Sequence, residues 1–360
     1  MTIKEIYGWL DAFAPFSLAE EWDNAGLQIG GMDDAVSGVV VSLDLTEKAL
    51  AAAGEAGANL ILTHHPAIFD PLKQLRSDSL VYTCARRGIA VLSAHTNLDL
   101  APGGVNRCLA ERLGFEQCYP LEATGRVPYR TVVVFVPVQH RDEVIRAMAA
   151  AGAGRLGDYA GCAFSNDGRG QFTPLEGAHA FIGEVGKPEL VDEARIEMLC
   201  PADRVAAVVG AMRTAHPYEE PAYGIYENHA VADEYGDVLC AALAEPMDPE
   251  VFVTWVKSRL VLDRVRCVLG KRPIHRAAFC CGAGGSFFGR AADRGADAYI
   301  TGDVKHSTMV EAAERGITLI DAGHYETERF IVPRLAERLR GAFPNLPVSV
   351  VEEGCPYQIL

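Results

Sequence analysis

An internal repeat constrains this chain more than any other feature. Gly57-Ala-Asn-Leu-Ile-Leu-Thr63 has a counterpart in Gly295-Ala-Asp-Ala-Tyr-Ile-Thr301, and in both a short apolar run closes on a threonine before a polar loop. Downstream, Gly88-Ile-Ala-Val-Leu-Ser-Ala-His95 is echoed by Gly316-Ile-Thr-Leu-Ile-Asp-Ala-Gly-His324, one residue longer. Upstream, the β-branched run of 38–44 and the alanine-rich stretch of 46–56 correspond to a strand over 276–281 and a helix starting near Ser286. Buried strands alternating with helical stretches predict βαβ units, whose parallel sheets need helices on both faces. The expected fold class is α/β, with two related three-layer α/β/α lobes and parallel-rich sheets; the competing explanation is a chance likeness of two generic βαβ units.

A segment of different character separates the lobes. It reads as the strand 131–136, the helix 140–151, a glycine-rich hairpin region, the strand 194–199, the helix 202–215 and the strand 222–226. That βαββαβ order predicts an inserted α+β ferredoxin-like domain whose ends meet. The expected domains are a first lobe over 1–126, the insertion over 127–234 and a second lobe over 235–360. A length of 360 residues agrees with more than one core.

Bulk composition removes several function classes. The formal net charge of −15, with no Lys/Arg cluster to offset it, argues against direct nucleic-acid binding. No run approaches the roughly 18 apolar residues of a membrane span, so no membrane contact is expected. The start of the chain has acidic residues inside an amphipathic pattern and no basic leader, which points to the cytoplasm. Ten scattered cysteines contain no Cys-x-x-Cys, so a zinc ribbon or redox motif is not expected, and the thiols read as small buried hydrophobes.

Ligand-binding groups on parallel α/β sheets gather beyond the C-terminal strand ends. His64 and His65 follow one strand directly, and adjacent histidines there can point to opposite sides and address different metals. Asp99 lies in the loop after another strand and is suited to bridge two metals. His324 and Glu328 stand four apart at the start of a helix, on one face. Three imidazoles and two carboxylates suit two divalent ions such as Zn, Fe, Mn or Co. Such a pair would lower the pKa of a bridging water to around 7 and supply hydroxide for hydrolysis.

His95 reads as a proton carrier, as a donor orienting a ligand, or as a structural residue. With Asp99 it is the expected catalytic pair. The turn Cys281-Gly-Ala-Gly-Gly-Ser286 could face a phosphate or merely pack tightly, and Trp22 could form a loop or a pocket floor. Lys305 and His306 are candidates for contact with an anionic substrate.

The motifs Glu21-Trp-Asp-Asn-Ala-Gly-Leu27, Thr63-His-His-Pro66, His95-Thr-Asn-Leu-Asp99, Thr301-Gly-Asp303 and Ala322-Gly-His-Tyr-Glu-Thr-Glu328 occur together and in order. In this the chain resembles the NGG-interacting-factor-three-like family of dinuclear-metal hexameric proteins. The resemblance places metal ligands on His64, His65, Asp99, His324 and Glu328. It further implies a toroidal homohexamer with sites facing an internal cavity, and a small, phosphorylated substrate.

Several family members are labelled type 2 GTP cyclohydrolase I, which implies hydrolytic opening of the guanine imidazole ring. The middle segment resembles the inserted domain of longer members, similar to PII and copper-tolerance proteins. Its most telling stretch is His216-Pro-Tyr-Glu-Glu-Pro221, which could equally fix a turn and a trimer contact. His306 falls one residue earlier than in many relatives. The expected function is thus a dinuclear-metal-dependent hydrolase of GTP or another nucleotide or phosphoester. The alternative is a non-catalytic metal-binding scaffold or regulatory protein whose inserted domain binds a ligand or partner.

Overall fold

In a computed structural model, described over residues 1–156 and 159–357, the chain is mixed α/β and divides into two compact units. One unit comprises Met1–Thr124 and Tyr235–Leu360; the other is Gly125–Glu234. Among the described residues no helix is long and apolar enough to cross a membrane.

The first unit contains two sheets, one of five strands and one of six, that share a four-stranded plan. In one, the strands Val39–Ser42, Leu60–Thr63 and Ala90–Ser93 run parallel, and Gly26–Ile29 adds antiparallel at the edge beyond Ala90–Ser93. In the other, Ile274–Phe279, Ala298–Thr301 and Thr318–Asp321 run parallel, and Arg266–Val268 adds antiparallel beyond Thr318–Asp321. The repeat in the sequence is therefore a repeat in topology. The helices Glu47–Ala56 and His306–Arg315, each of which precedes a repeated strand, end on a glycine in the left-handed region, Gly57 at φ +62° and Gly316 at φ +65°. A side chain there would clash with the backbone carbonyl, so glycine ends the helix and redirects the chain into the sheet.

Strand periodicity then partitions the core. Val39, Val41, Leu60 and Leu62 point inward to the same cluster as Ala298, Ile300 and Ile320 of the other sheet. The helices Ile3–Phe13, Val105–Leu113, Pro249–Leu260 and Ile331–Ala342 contribute to that shared middle layer. The alternate residues, Val40, Ile61 and Val91, pack outward under Glu47–Ala56 and Leu80–Arg87. Tyr299 and Leu319 do the same under Phe288–Asp293 and His306–Arg315. Both faces of each central strand are buried, which is why these strands read as unbroken apolar runs rather than alternating ones. The two lobes share one helical layer.

The unit Gly125–Glu234 has its own four-stranded sheet, in the order Phe164–Phe172, Glu189–Pro201, Gly125–Pro137, Tyr223–Tyr235. The helices Arg141–Ala150 and Val205–Ala215 cover one face, where Val132, Val134, Ile196, Met198, Val144 and Val208 form the core. The chain leaves and re-enters the first unit at neighbouring points, where the Thr124 amide donates to the Tyr235 carbonyl at 2.9 Å.

Candidate metal centre

The first sheet delivers its ligands through register. Ser42 pairs with Thr63, and Thr63 with Ser93, so three strands end side by side. The Thr63 and Ser93 hydroxyls lie 2.7 Å apart, and Thr63 Oγ1 donates to the His65 carbonyl at 2.8 Å. The His64 and His65 amides both donate to the Leu43 carbonyl, at 3.1 and 2.9 Å. This tight turn separates the two adjacent rings, whose centroids stand 4.9 Å apart with a 43° tilt. Asp99 comes from the short helix Thr96–Leu100, which His95 precedes. The second sheet contributes His324 and Glu328, at either end of the helix His324–Glu328.

These side chains meet. His65 Nε2 lies 2.9 Å from Glu328 Oε2, and His324 Nε2 lies 3.1 Å from the same oxygen. His64 Nε2 lies 3.5 Å from Asp99 Oδ1 and 3.8 Å from Glu328 Oε1. Three groups of ligand atoms are each compact enough to hold a metal ion: His65, His324 and Glu328; His64, Asp99 and Glu328; and His64, His65 and His95. The first two share Glu328, one oxygen facing each. Glu328 reaches across from the second sheet and belongs to both groups, while Asp99 belongs to one and lies within 4 Å of His64 alone among the imidazoles of the described residues.

Each imidazole is held in the same way. His64 Nδ1 donates to the Ala94 carbonyl at 2.8 Å. His65, His95 and His324 place Nδ1 2.8 Å from carboxylates of Asp44, Asp23 and Asp303 respectively. A proton on Nδ1 leaves Nε2 with a lone pair, which is the arrangement metal-bound histidines use. Asp303 sits at φ +51°, an uncommon conformation for a residue with a side chain, and that backbone aims its carboxylate at His324.

Two observations test the fit to a cation. His64 Nε2 is buried with no hydrogen-bond partner, which costs free energy unless something electrophilic satisfies it. His65 Nε2 and His324 Nε2 face each other at 3.2 Å, where two lone pairs repel unless a proton or a cation lies between them. A mixed imidazole and carboxylate set suits a borderline divalent metal.

Protonation follows the same geometry. Burial disfavours charge on His65, but hydrogen bonds to Asp44 and Glu328 outweigh it and hold the pKa at about 10. Burial likewise opposes charge on His324, and Glu328 followed by Asp303 raises it to about 9. Burial opposes ionisation of Glu328 too, yet the imidazoles of His324, His64 and His65 around it hold its carboxyl well below the usual range. Asp99 is shifted the other way: burial raises its pKa, and His64 offsets that only in part.

A cavity of about 640 Å³ opens onto this cluster, with Trp22, Phe69, His95 and Arg290 in its walls. Trp22 and Phe69 stand 5.8 Å apart, each edge-on to His95 at 6.2 and 6.3 Å. Trp22 is therefore a wall of the cavity. Lys305 and His306 are not among the cavity residues; Lys305 precedes the exposed start of the helix His306–Arg315. The turn after Cys281 packs tightly: Gly284 donates to Thr301 Oγ1 at 2.9 Å, and Gly282 lies against Glu328 and His324.

Sequence reasoning did not find Asp23, Asp44, Asp303, Arg290 or Cys281 as site residues. Cys281 is not just a packing group, since its Sγ donates to Asp99 Oδ1 at 3.2 Å. A signal existed for two of them. Asp44 and Asp303 each stand two residues past the end of a parallel strand, where second partners for metal-binding histidines are to be sought.

Comparison with known proteins gives a consistent result. The family model Duf34/NIF3 (NGG1p interacting factor 3) matches residues 1–355. A Bacillus subtilis protein named "GTP cyclohydrolase 1 type 2 homolog" is 39% identical over 327 residues, covering 89% of this chain and 88% of its own length. A Halalkalibacterium halodurans protein of the same name is 36% identical over 334 residues, with 91% and 90% covered. The crystal structure of a Bacillus cereus protein related to NIF3 superposes with a TM-score of 0.78 at 36% identity, over 100% of this chain and 99% of that one.

Proposed function

Because the chain belongs to the Duf34/NIF3 family, we propose that it is a dinuclear-metal-dependent hydrolase that opens the imidazole ring of the guanine base of GTP, or a closely related nucleotide bond. The observation that carries this reading is the pair of ligand triads that share Glu328, with Asp99, His324 and Glu328 of those triads, and His95 beside them, lining one cavity. His65, His324 and Glu328 would hold one ion, and His64, Asp99 and Glu328 the other. Divalent cations there supply Lewis acidity and activate water at neutral pH.

The chain's own residues provide the rest. Trp22 and Phe69 offer apolar faces on which a purine can stack. Arg290 is the only Lys or Arg among the residues lining the cavity, so it pairs with the phosphates of an otherwise acidic protein's substrate. His95, fixed at Nδ1 by Asp23, presents Nε2 as the proton carrier: it takes a proton from the attacking water and returns one to the departing ring nitrogen. The homohexamer implied by the family resemblance belongs to the same proposal, and light scattering on the purified chain checks it.

The deciding experiment loads the chelator-stripped protein with Zn, Mn, Fe or Co and measures formate released from GTP. The expected result is metal-dependent formate release that Asp99→Ala abolishes while the assembly persists. A fully metallated protein that releases no formate would overturn the GTP assignment. If it also left other nucleotides, phosphodiesters and phosphomonoesters intact, the hydrolase reading would give way to a binding scaffold.

A further inference from the structure

The uncovered face of the sheet in the unit Gly125–Glu234 holds a second cavity, of about 580 Å³. That volume falls in the range of small-molecule sites, roughly 300–1,000 Å³. Strand register explains its lining. On Glu189–Pro201, the residues Ala194, Ile196, Met198 and Cys200 are buried in the core beneath the helices, so Glu193 and Arg195 lie on the opposite face. The neighbouring strand pairs Gly168 with Glu193 and leaves Gly170 beneath its carboxylate, where a Cβ would overlap Glu193 Oε2. Glycines here keep the floor flat and open.

The walls are aromatic: Phe135, Phe172, Phe181 and Tyr218. Tyr218 belongs to the stretch His216-Pro-Tyr-Glu-Glu-Pro221, which the metal chemistry leaves unexplained. His216 Nε2 donates to the Phe135 carbonyl at 2.8 Å, and its Nδ1 accepts the Tyr218 amide at 3.0 Å. Burial lowers the His216 pKa and so favours the neutral ring this arrangement requires. The stretch thereby sets Tyr218 edge-on to Phe172, with ring centroids 5.6 Å apart. The Tyr218 hydroxyl donates to Glu193 Oε1 at 3.0 Å; burial and that acceptor raise its pKa and keep it a donor.

Two charged groups in this cavity lack full partners. Glu193 is only 9% exposed, and among the described residues no lysine or arginine lies within ion-pairing distance of it. Arg195 pairs through one terminal nitrogen with Glu197 at 3.2 Å, but its Nε is buried with no hydrogen-bond partner. Glu193 and Arg195 can therefore each take a further partner from a ligand. They are two positions apart on one strand face, about 6.6 Å, comparable to the length of a purine edge. An acceptor and a donor at that spacing, between aromatic faces, match one kind of ligand.

We propose that this cavity binds a small planar heterocycle carrying N–H donors beside an acceptor, the pattern of a guanine base, with its donors on Glu193, its acceptor on Arg195 and its faces against the aromatic walls. The site lies outside the metal centre and does not depend on the hydrolase reading. The probe is guanosine, added to full-length, metal-free protein, with binding measured by calorimetry and located by hydrogen–deuterium exchange. Guanosine is expected to slow exchange in 164–172 and 216–222. Glu193→Gln, which still accepts from Tyr218, is expected to weaken binding at least tenfold, and inosine, lacking the 2-amino donors, to bind more weakly than guanosine. The absence of guanosine protection in those segments would overturn the proposal, as would unchanged binding by Glu193→Gln. It also fails if those segments are protected without ligand and lose protection on dilution, which would make this face a contact between copies of the chain.

Discussion

Replacing Gly282 by alanine tests whether the shared carboxylate organises the metal centre. Gly282 lies at φ +57°, and a Cβ built there overlaps Glu328 Oε1 and comes within 3.3 Å of His324 Nε2. Two costs follow, and a control separates them. Gly57 has nearly the same backbone angle, φ +62°, with nothing within 4 Å of its Cβ position. Alanine at either site therefore carries the left-handed backbone penalty of roughly 1–2 kcal/mol.

Only Gly282→Ala also forces Glu328 to turn. Because Oε1 faces His64 while Oε2 faces His65 and His324, a rotation that relieves the overlap disturbs both triads at once. Loss of even an outer partner of a metal ligand weakens binding by about 10–100-fold, so displacing the shared ligand is expected to cost at least about 100-fold. The assay is zinc affinity by chelator competition, paired with melting curves of loaded and stripped protein. Gly57→Ala should bind like the wild type and melt slightly lower. Gly282→Ala should lose most of its metal, and metal should no longer raise its melting temperature. Equal zinc affinity for the two variants would refute the role assigned to Glu328.

Metal loading should release protons: with His65 at about 10 and His324 at about 9, both rings are charged in metal-free protein at pH 8, and binding displaces roughly two protons per subunit. Calorimetric heats that do not vary with buffer ionisation enthalpy would contradict this. Those raised values also stabilise the metal-free fold fully below the unfolded pKa of about 6.5, and that stabilisation should fade as pH rises through 9 to 10, visible as a falling melting temperature in chelated samples alone. Asp303→Asn keeps a residue that tolerates positive φ but removes the charge behind His324, and should weaken metal binding about 10–100-fold in the same competition assay. Phe279→Ala, which empties a fully buried site stacked on Phe115 at 5.5 Å, should lower stability by about 3–5 kcal/mol in denaturant melts.

Much of this protein is local and therefore legible in the order of its residues. The apolar runs ending at Thr63, Ser93 and Thr301, the glycines between them and the preceding helices, and the four-residue spacing of His324 and Glu328 are short-range patterns, since backbone sterics and side-chain periodicity act within a few residues. Strand ends in turn gather polar groups, which brought His64, His65, His95, Asp99, His324 and Glu328 into view as one set.

Tertiary packing alone decided which of them share an oxygen. His65 and Glu328 are 263 residues apart and come within 2.9 Å because the inner faces of two sheets bury against one helical layer. That distance depends on the volume of every side chain in the layer, a quantity no spacing along the chain encodes. The same packing put Glu328 within reach of His64, His65 and His324 at once, set Asp23, Asp44 and Asp303 behind their histidines, and turned the Cys281 thiol toward Asp99.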